Sequence, residues 1–220
     1  MSHVFLFDVD NTLLDNDAVK ADLEQALEAS LSRQDAERFW ELYEEVRGEF
    51  GLVSLPETVE RFLPVHCADP LAPQRAARSI FECDFASHLR PGALELLEWA
   101  SQEGTSLILS NGDQFFQRWK IWKAGLAAAS GNRVWVFPEK EHHFEDLDER
   151  FDAGTLFFLV EDKTGALHAA REHWGERVVT IYVAFGHHAE SISDAEAIDL
   201  VVSSPAELLE RLPEIGFSPV

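Results

Sequence analysis

Six short apolar runs, most of them separated by stretches of helical length, constrain this chain more than any other feature. They are Val4 to Phe7, Ser106 to Leu109, Arg133 to Phe137, Leu156 to Val160, Val178 to Val183 and Ile198 to Val202. Few of them alternate with polar residues. A strand covered on both faces has no solvent side and reads as a continuous apolar run. Gln114 to Ala124 and Gly165 to Trp174 read as helices between such runs. Strand-helix alternation predicts an α/β fold with a doubly wound, Rossmann-like parallel sheet.

The segment 17–88 breaks the pattern. Val19, Leu23, Leu27 and Leu31 recur every fourth residue, and Phe39, Leu42, Val46 and Phe50 keep to one helical face. Ser54-Leu55-Pro56-Glu57 has the form of a helix start with proline in the first turn. No run in this segment reads as a strand. The expected organisation is an α/β core made of 1–16 and 89–220, with an all-helical domain, 17–88, inserted after the first strand. Arg90-Pro91-Gly92 marks the return to the core, and Ala93 to Ala100 the next helix. The chain has no internal repeat and no low-complexity segment.

Charge narrows the function. The 220 residues carry 18 basic and 40 acidic side chains, a formal net charge of −22. Such a field repels phosphate backbones and anionic bilayers, so neither nucleic acid nor membrane is an expected partner. An anionic substrate would need locally reversed charge, most simply a bound cation. The acidic excess is lighter in the insert than in the core, which makes the insert the better source of cationic contacts. Cys67 and Cys83 are too few for a disulfide framework and suit reduced thiols. The N-terminus lacks a basic region and a long apolar run, so no signal peptide is expected and a soluble, cytoplasmic protein is.

The chemistry-bearing residues stand at the ends of the apolar runs. Asp8-Val9-Asp10-Asn11-Thr12 follows the first run directly. Carboxylates spaced by two, at the C-terminal end of a first parallel strand, lie where such sheets place ligands. One can act as a nucleophile, the other can handle protons, and with a third acid they can hold magnesium.

These residues resemble the first motif of the haloacid dehalogenase superfamily of hydrolases. Leu107-Ile108-Leu109-Ser110-Asn111-Gly112 resembles its second motif, Lys140 its third, and Phe157-Phe158-Leu159-Val160-Glu161-Asp162 its fourth. Order and spacing match over essentially the whole chain. The helical insert resembles the cap domain of the family.

The resemblance implies a magnesium-dependent phosphatase acting on a small phosphorylated metabolite. Asp8 would attack phosphorus and form an aspartyl-phosphate. Asp10 would protonate the leaving oxygen and then activate water. Ser110 would hold a phosphoryl oxygen, with Asn11, Thr12, Asn111 and Gly112 around the substrate, and Lys140 would neutralise charge. Asp8, Asp162 and the backbone carbonyl of Asp10 would hold Mg2+. Relatives that cleave carbon–halogen bonds lack an acid at the position of Asp10, because a halide leaves without a proton. The 2-haloacid dehalogenase reading is therefore disfavoured, and it ranks behind a phosphomutase, the first alternative to the phosphatase. The phosphomutase keeps the same four motifs but returns phosphate to a sugar, and from another class the chain could be a relative that binds without turnover.

Two positions depart from the pattern. Where many relatives have a further acid, four residues beyond Asp162, this chain has Ala166, and Glu161 would take that supporting role. Lys163 competes with Lys140 for the cationic role, and Lys140 is the expected holder because its loop opens on the same sheet edge as Asp8 and Ser110. His142-His143 and His187-His188 read as surface pairs rather than zinc ligands. Phe115, Phe116, Trp119 and Trp122 are expected to form the buried face of their helix. Phe39, Trp40 and Tyr43 are expected in the core of the insert, with a pocket wall as the alternative.

Overall fold

The computed structural model describes residues 2–186 and 197–217. Strands β1 (His3–Phe7), β2 (Thr105–Asn111), β3 (Val134–Phe137), β4 (Leu156–Glu161), β5 (Val178–Val183) and β6 (Leu200–Val202) form one sheet in the order β3-β2-β1-β4-β5-β6. Every pairing is parallel. Each expected run holds a strand; β2 continues to Asn111, and β6 starts two residues later than Ile198.

The missing polar alternation has a direct cause. Val4 and Leu6 pack on one face of the sheet with Leu107, Leu159, Leu167 and Trp174. Phe5 and Phe7 pack on the other with Ile108, Phe158, Leu96 and Leu208. Helices α8 (Phe144–Arg150) and α9 (Thr164–Trp174) supply the first layer, and α5 (Ala93–Glu103) and α10 (Pro205–Glu210) belong to the second. Helices α6 (Gln114–Lys123) and α7 (Leu126–Ala129) also contribute to that second layer.

Between β1 and α5 lie helices α1 (Asn16–Ser30), α2 (Arg33–Phe50), α3 (Leu55–Arg61) and α4 (Ala72–Phe81), and no strand. The Ser32 hydroxyl caps α2 by accepting from Asp35 N–H, and Gly51, at φ 70°, closes it in the left-handed region that glycine enters without strain. Val19, Leu23, Leu27, Leu31, Phe39, Leu42 and Val46 are buried, as their spacing requires. Phe50 is not. It is 51% exposed in the last turn of α2, beneath the guanidinium of Arg61.

The two crossings between insert and core run side by side. Asp15 N–H donates to the His88 carbonyl and Arg90 N–H to the Leu13 carbonyl, both at 2.9 Å. Leu14 and Leu89 form an antiparallel bridge between them. Gly92 follows at φ 81°, where a Cβ would stand 2.6 Å from Ala206 N, so the return to the core passes through a position that only glycine fits. Among the described residues no helix is long and apolar enough to cross a membrane.

Candidate active site

The central position of β1 decides which residues meet. Phe7 is in register with Ile108 of β2 and Val160 of β4. The residues that follow all three strands therefore emerge together on the C-terminal edge of the sheet, where the chain order reverses from one side to the other. Asp8 extends β1 by one bond, its N–H donating to the Val160 carbonyl at 3.0 Å. The chain then turns sharply: the N–H groups of Thr12, Leu13 and Leu14 converge on the Val9 carbonyl, and Asn11 takes φ 60°.

Lys140 begins a short helical turn, Lys140–His143, just after β3. Its N–H donates to Asn111 Oδ1 at 2.7 Å, which ties this turn to the end of β2. Its side chain is 1% exposed and runs inward. Nζ donates to Asp8 Oδ1 at 2.6 Å, to Glu161 Oε2 at 2.5 Å and to the Leu109 carbonyl at 3.2 Å. Three acceptors saturate the three ammonium protons. The Lys163 side chain forms no such bond among the described residues; it lines the neighbouring cavity and acts on the acids through its charge.

Three buried carboxylates gather around this lysine. Asp8, Glu161 and Asp162 each bring one oxygen within 4.8 Å of the others. They differ in how they are satisfied. Glu161 accepts from Lys140 through Oε2, and from the N–H groups of Asp162 and Lys163 through Oε1. Burial alone would raise its pKa, but the Lys140 charge and these bonds hold it below the ordinary value. Asp162 Oδ1 is buried with no partner among the described residues. Burial, then the charges of Glu161 and Asp8, push Asp162 up to about 10. Asp8 is pushed up to about 7 by burial and by Glu161, against the pull of Lys140 and Lys163. Lys140 is raised despite its burial, because Asp8 and Glu161 stabilise its charge.

An oxygen donor set with one buried, unsatisfied carboxylate oxygen and more buried acid than base fits a small hard cation. Asp8 and Asp162 are the residues suited to ligate it. Glu161 is spent on holding Lys140.

The remaining expected residues separate into two groups. Asp10, Asn111 and Gly112 line a cavity of about 460 Å³ that also touches Lys163 and Lys120. The insert supplies the facing wall, including Trp40 and Tyr43, while Phe39 is fully buried. Ser110 is buried, its Oγ accepting from Gln117 Nε2 at 2.9 Å. Thr12 is fully buried, and its hydroxyl has no partner among the described residues. His142 and His143 each pair with an acid three residues away at the surface. His187 and His188 lie outside the described residues.

The inner face of α6 corrects one expectation. Phe115 and Trp122 are 63% and 60% exposed, and only Phe116 of the four aromatic residues is fully inside. The buried stripe is Phe116, Gln117, Lys120 and Ile121. Two polar residues occupy it because they have partners there. Lys120 Nζ donates to Asp10 Oδ1 at 2.5 Å, and Gln117 Nε2 to Asp10 Oδ2 at 3.1 Å. Sequence reasoning missed both. The one signal was their own spacing, three residues apart on a helix directly after the second motif.

No protein-family model matches the sequence, and no curated protein matches it. Among solved structures, a haloacid dehalogenase-like hydrolase from Burkholderia xenovorans shares 32% identity, with 99% of each chain covered and a TM-score of 0.84. The hydrolase YfnB of Bacillus subtilis, bound to magnesium, shares 19% identity over 96% of this chain and 98% of its own, with a TM-score of 0.59. A 2-haloacid dehalogenase from Pseudomonas syringae shares 18% over 98% of this chain and 100% of its own, with a TM-score of 0.63. The last two are likenesses of fold.

Proposed function

Since the chain belongs to the haloacid dehalogenase-like hydrolases, we propose that it is a magnesium-dependent phosphatase acting on a small phosphate monoester. The observation that carries this reading is the Asp10 carboxylate. It faces the cavity two residues beyond the buried Asp8–Lys140 pair. A departing alkoxide needs a proton, whereas a departing halide does not.

Asp8 Oδ attacks phosphorus in line, forming an aspartyl-phosphate as the ester P–O bond breaks. Asp10 gives its proton to the leaving oxygen. Water then attacks the phosphorus of the intermediate, Asp10 takes the proton of that water, and inorganic phosphate leaves with Asp8 regenerated. Lys140 favours the anionic form of Asp8, against burial and the charge of Glu161, and offsets the charge that gathers on the phosphoryl oxygens. The Ser110 hydroxyl, with backbone N–H groups near Asn11 and Asn111, orients those oxygens. Asp8, Asp162 and the Asp10 carbonyl would hold Mg2+, which when bound supplies positive charge against the repulsion between Asp8 and the phosphoryl group. The insert, 17–88, would act as a cap that closes the cavity over the leaving group and selects it.

The test is product analysis with magnesium present. Free phosphate from a panel of phosphorylated metabolites is expected, and halide from 2-haloacids is not. Halide release in the absence of any phosphate release would overturn the reading. Isomerised sugar phosphate with little free phosphate would assign the same site to a mutase.

A further inference from the structure

Asp10 sits on a turn, and a carboxylate on a turn has two freely rotating side-chain bonds to fix before it can serve a reaction. Here both of its oxygens are taken by donors from one helix. Lys120 reaches Oδ1 and Gln117 reaches Oδ2. The two donors are themselves held. Lys120 is 4% exposed and also donates to Asn16 Oδ1 at 3.3 Å, at the start of α1. Gln117 is 4% exposed and uses the same amide group on Ser110. The helix that carries them is anchored at its first turn, where Asp113 accepts from the N–H groups of Phe115 and Phe116 and from the Ser54 hydroxyl of the insert.

A lysine taken out of water needs a reason to be there, and the acceptors that Lys120 meets are Asp10 and Asn16. Lys120 and Gln117 together fix the direction in which the Asp10 carboxylate meets the cavity. Placement of a proton donor to within a fraction of an ångström is worth large factors in rate, and a small displacement loses them.

We propose that Lys120 is a positioning residue: with Gln117 it holds the Asp10 carboxylate toward the leaving-group oxygen, and so sets how well the enzyme cleaves esters whose leaving group must be protonated. This rests on the phosphatase reading above. The step it serves is the transfer of the Asp10 proton to the ester oxygen as the P–O bond breaks. A nitrophenolate leaves with little help from that proton, and an alkoxide leaves only with it.

The experiment compares an alkyl phosphate with p-nitrophenyl phosphate for the wild type, Lys120→Met and Lys120→Arg, all with magnesium. Lys120→Met is expected to lower kcat for the alkyl ester at least about tenfold more than for the nitrophenyl ester, with KM changed by less than about threefold. Lys120→Arg, which keeps the charge, is expected to restore most of the ratio. In an Asp10→Asn background, Lys120→Met is expected to have no further effect on the alkyl ester, because its effect passes through Asp10. Equal loss on both esters, or an undiminished effect in the Asp10→Asn background, would overturn the proposal. If Lys120→Met does not fold, Gln117→Met carries the same comparison, with a smaller shift of the ratio in the same direction expected and an unchanged ratio counting against the proposal. Failure of the wild type to hydrolyse either ester would instead remove the phosphatase reading.

Discussion

Charge is handled in opposite ways in two regions of this molecule. On the outer face of α2 in the helical insert the ions stand in water and pair along the helix, as Arg33 with Glu37 and Arg38 with Glu41. Arg33 and Glu37 are 91% and 61% exposed. At the sheet edge, Lys140, Asp8 and Glu161 form two ion pairs with side chains no more than 6% exposed. An exposed pair gains little, because water already solvates both partners and long side chains lose freedom. A buried pair repays its desolvation only when complete, and the loss of one partner strands the other. These exposed charges of the insert can therefore change with little consequence, while the sheet edge is built as a unit. That contrast is what a functional site demands, since the reaction needs charges that water does not screen.

The largest effect should come from Lys140. Its replacement by Met leaves Asp8 and Glu161 buried without their cation, at a cost of about 3–5 kcal/mol in stability at neutral pH. Part of this should return on acidification, because protonated acids no longer need the partner. Turnover should fall by about a hundredfold or more, since a charged contact to the reacting groups is lost. Lys163→Ala, which removes a charge but no hydrogen bond to the acids, should cost clearly less on both measures. Chemical denaturation and steady-state kinetics of the two variants decide the order.

The second effect concerns magnesium and pH. In the metal-free protein Asp8 is raised to about 7 and Asp162 to about 10. An acid raised on folding binds its proton more tightly in the native state than in the unfolded chain. Its contribution to stability is present below the ordinary carboxylate value and is lost as pH rises through the raised one. Magnesium must displace those protons, so its binding tightens as pH rises. The increase in thermal midpoint caused by magnesium should be larger at about pH 8 than at about pH 6. An equal increase at both would break the link between the ion and these two acids.

The smallest effect belongs to the insert surface. Arg33→Ala should move the thermal midpoint by less than about 2 °C and leave turnover unchanged. A large loss there would erase the contrast between the two regions.

The same contrast explains what could be read from the sequence. The strands were legible because a doubly covered sheet needs unbroken apolar runs, and the runs beginning at Val4, Leu156 and Val178 stand out in composition alone. Asp8, Ser110 and Asp162 lie at the ends of such runs, so the parallel register brings them together. Phe115 and Trp122 were misplaced because helical spacing marks a stripe but not which stripe faces inward. The inward stripe of α6 holds Gln117 and Lys120, whose burial depends on Asp10, 107 and 110 residues away along the chain. The grip of Glu161 on Lys140 is legible only in three dimensions, since the two residues follow or end strands that are not neighbours in the sheet.

The central claim is that Asp8 carries the phosphoryl group. Rapid quenching in acid during turnover of a phosphate ester with magnesium, followed by peptide mass spectrometry, tests it most directly. A phosphoryl adduct is expected on the peptide containing Asp8 in the wild type, and neither adduct nor measurable turnover in Asp8→Asn, which keeps the shape and should keep the fold. Substantial turnover by Asp8→Asn, with no adduct on the wild-type peptide, would contradict it.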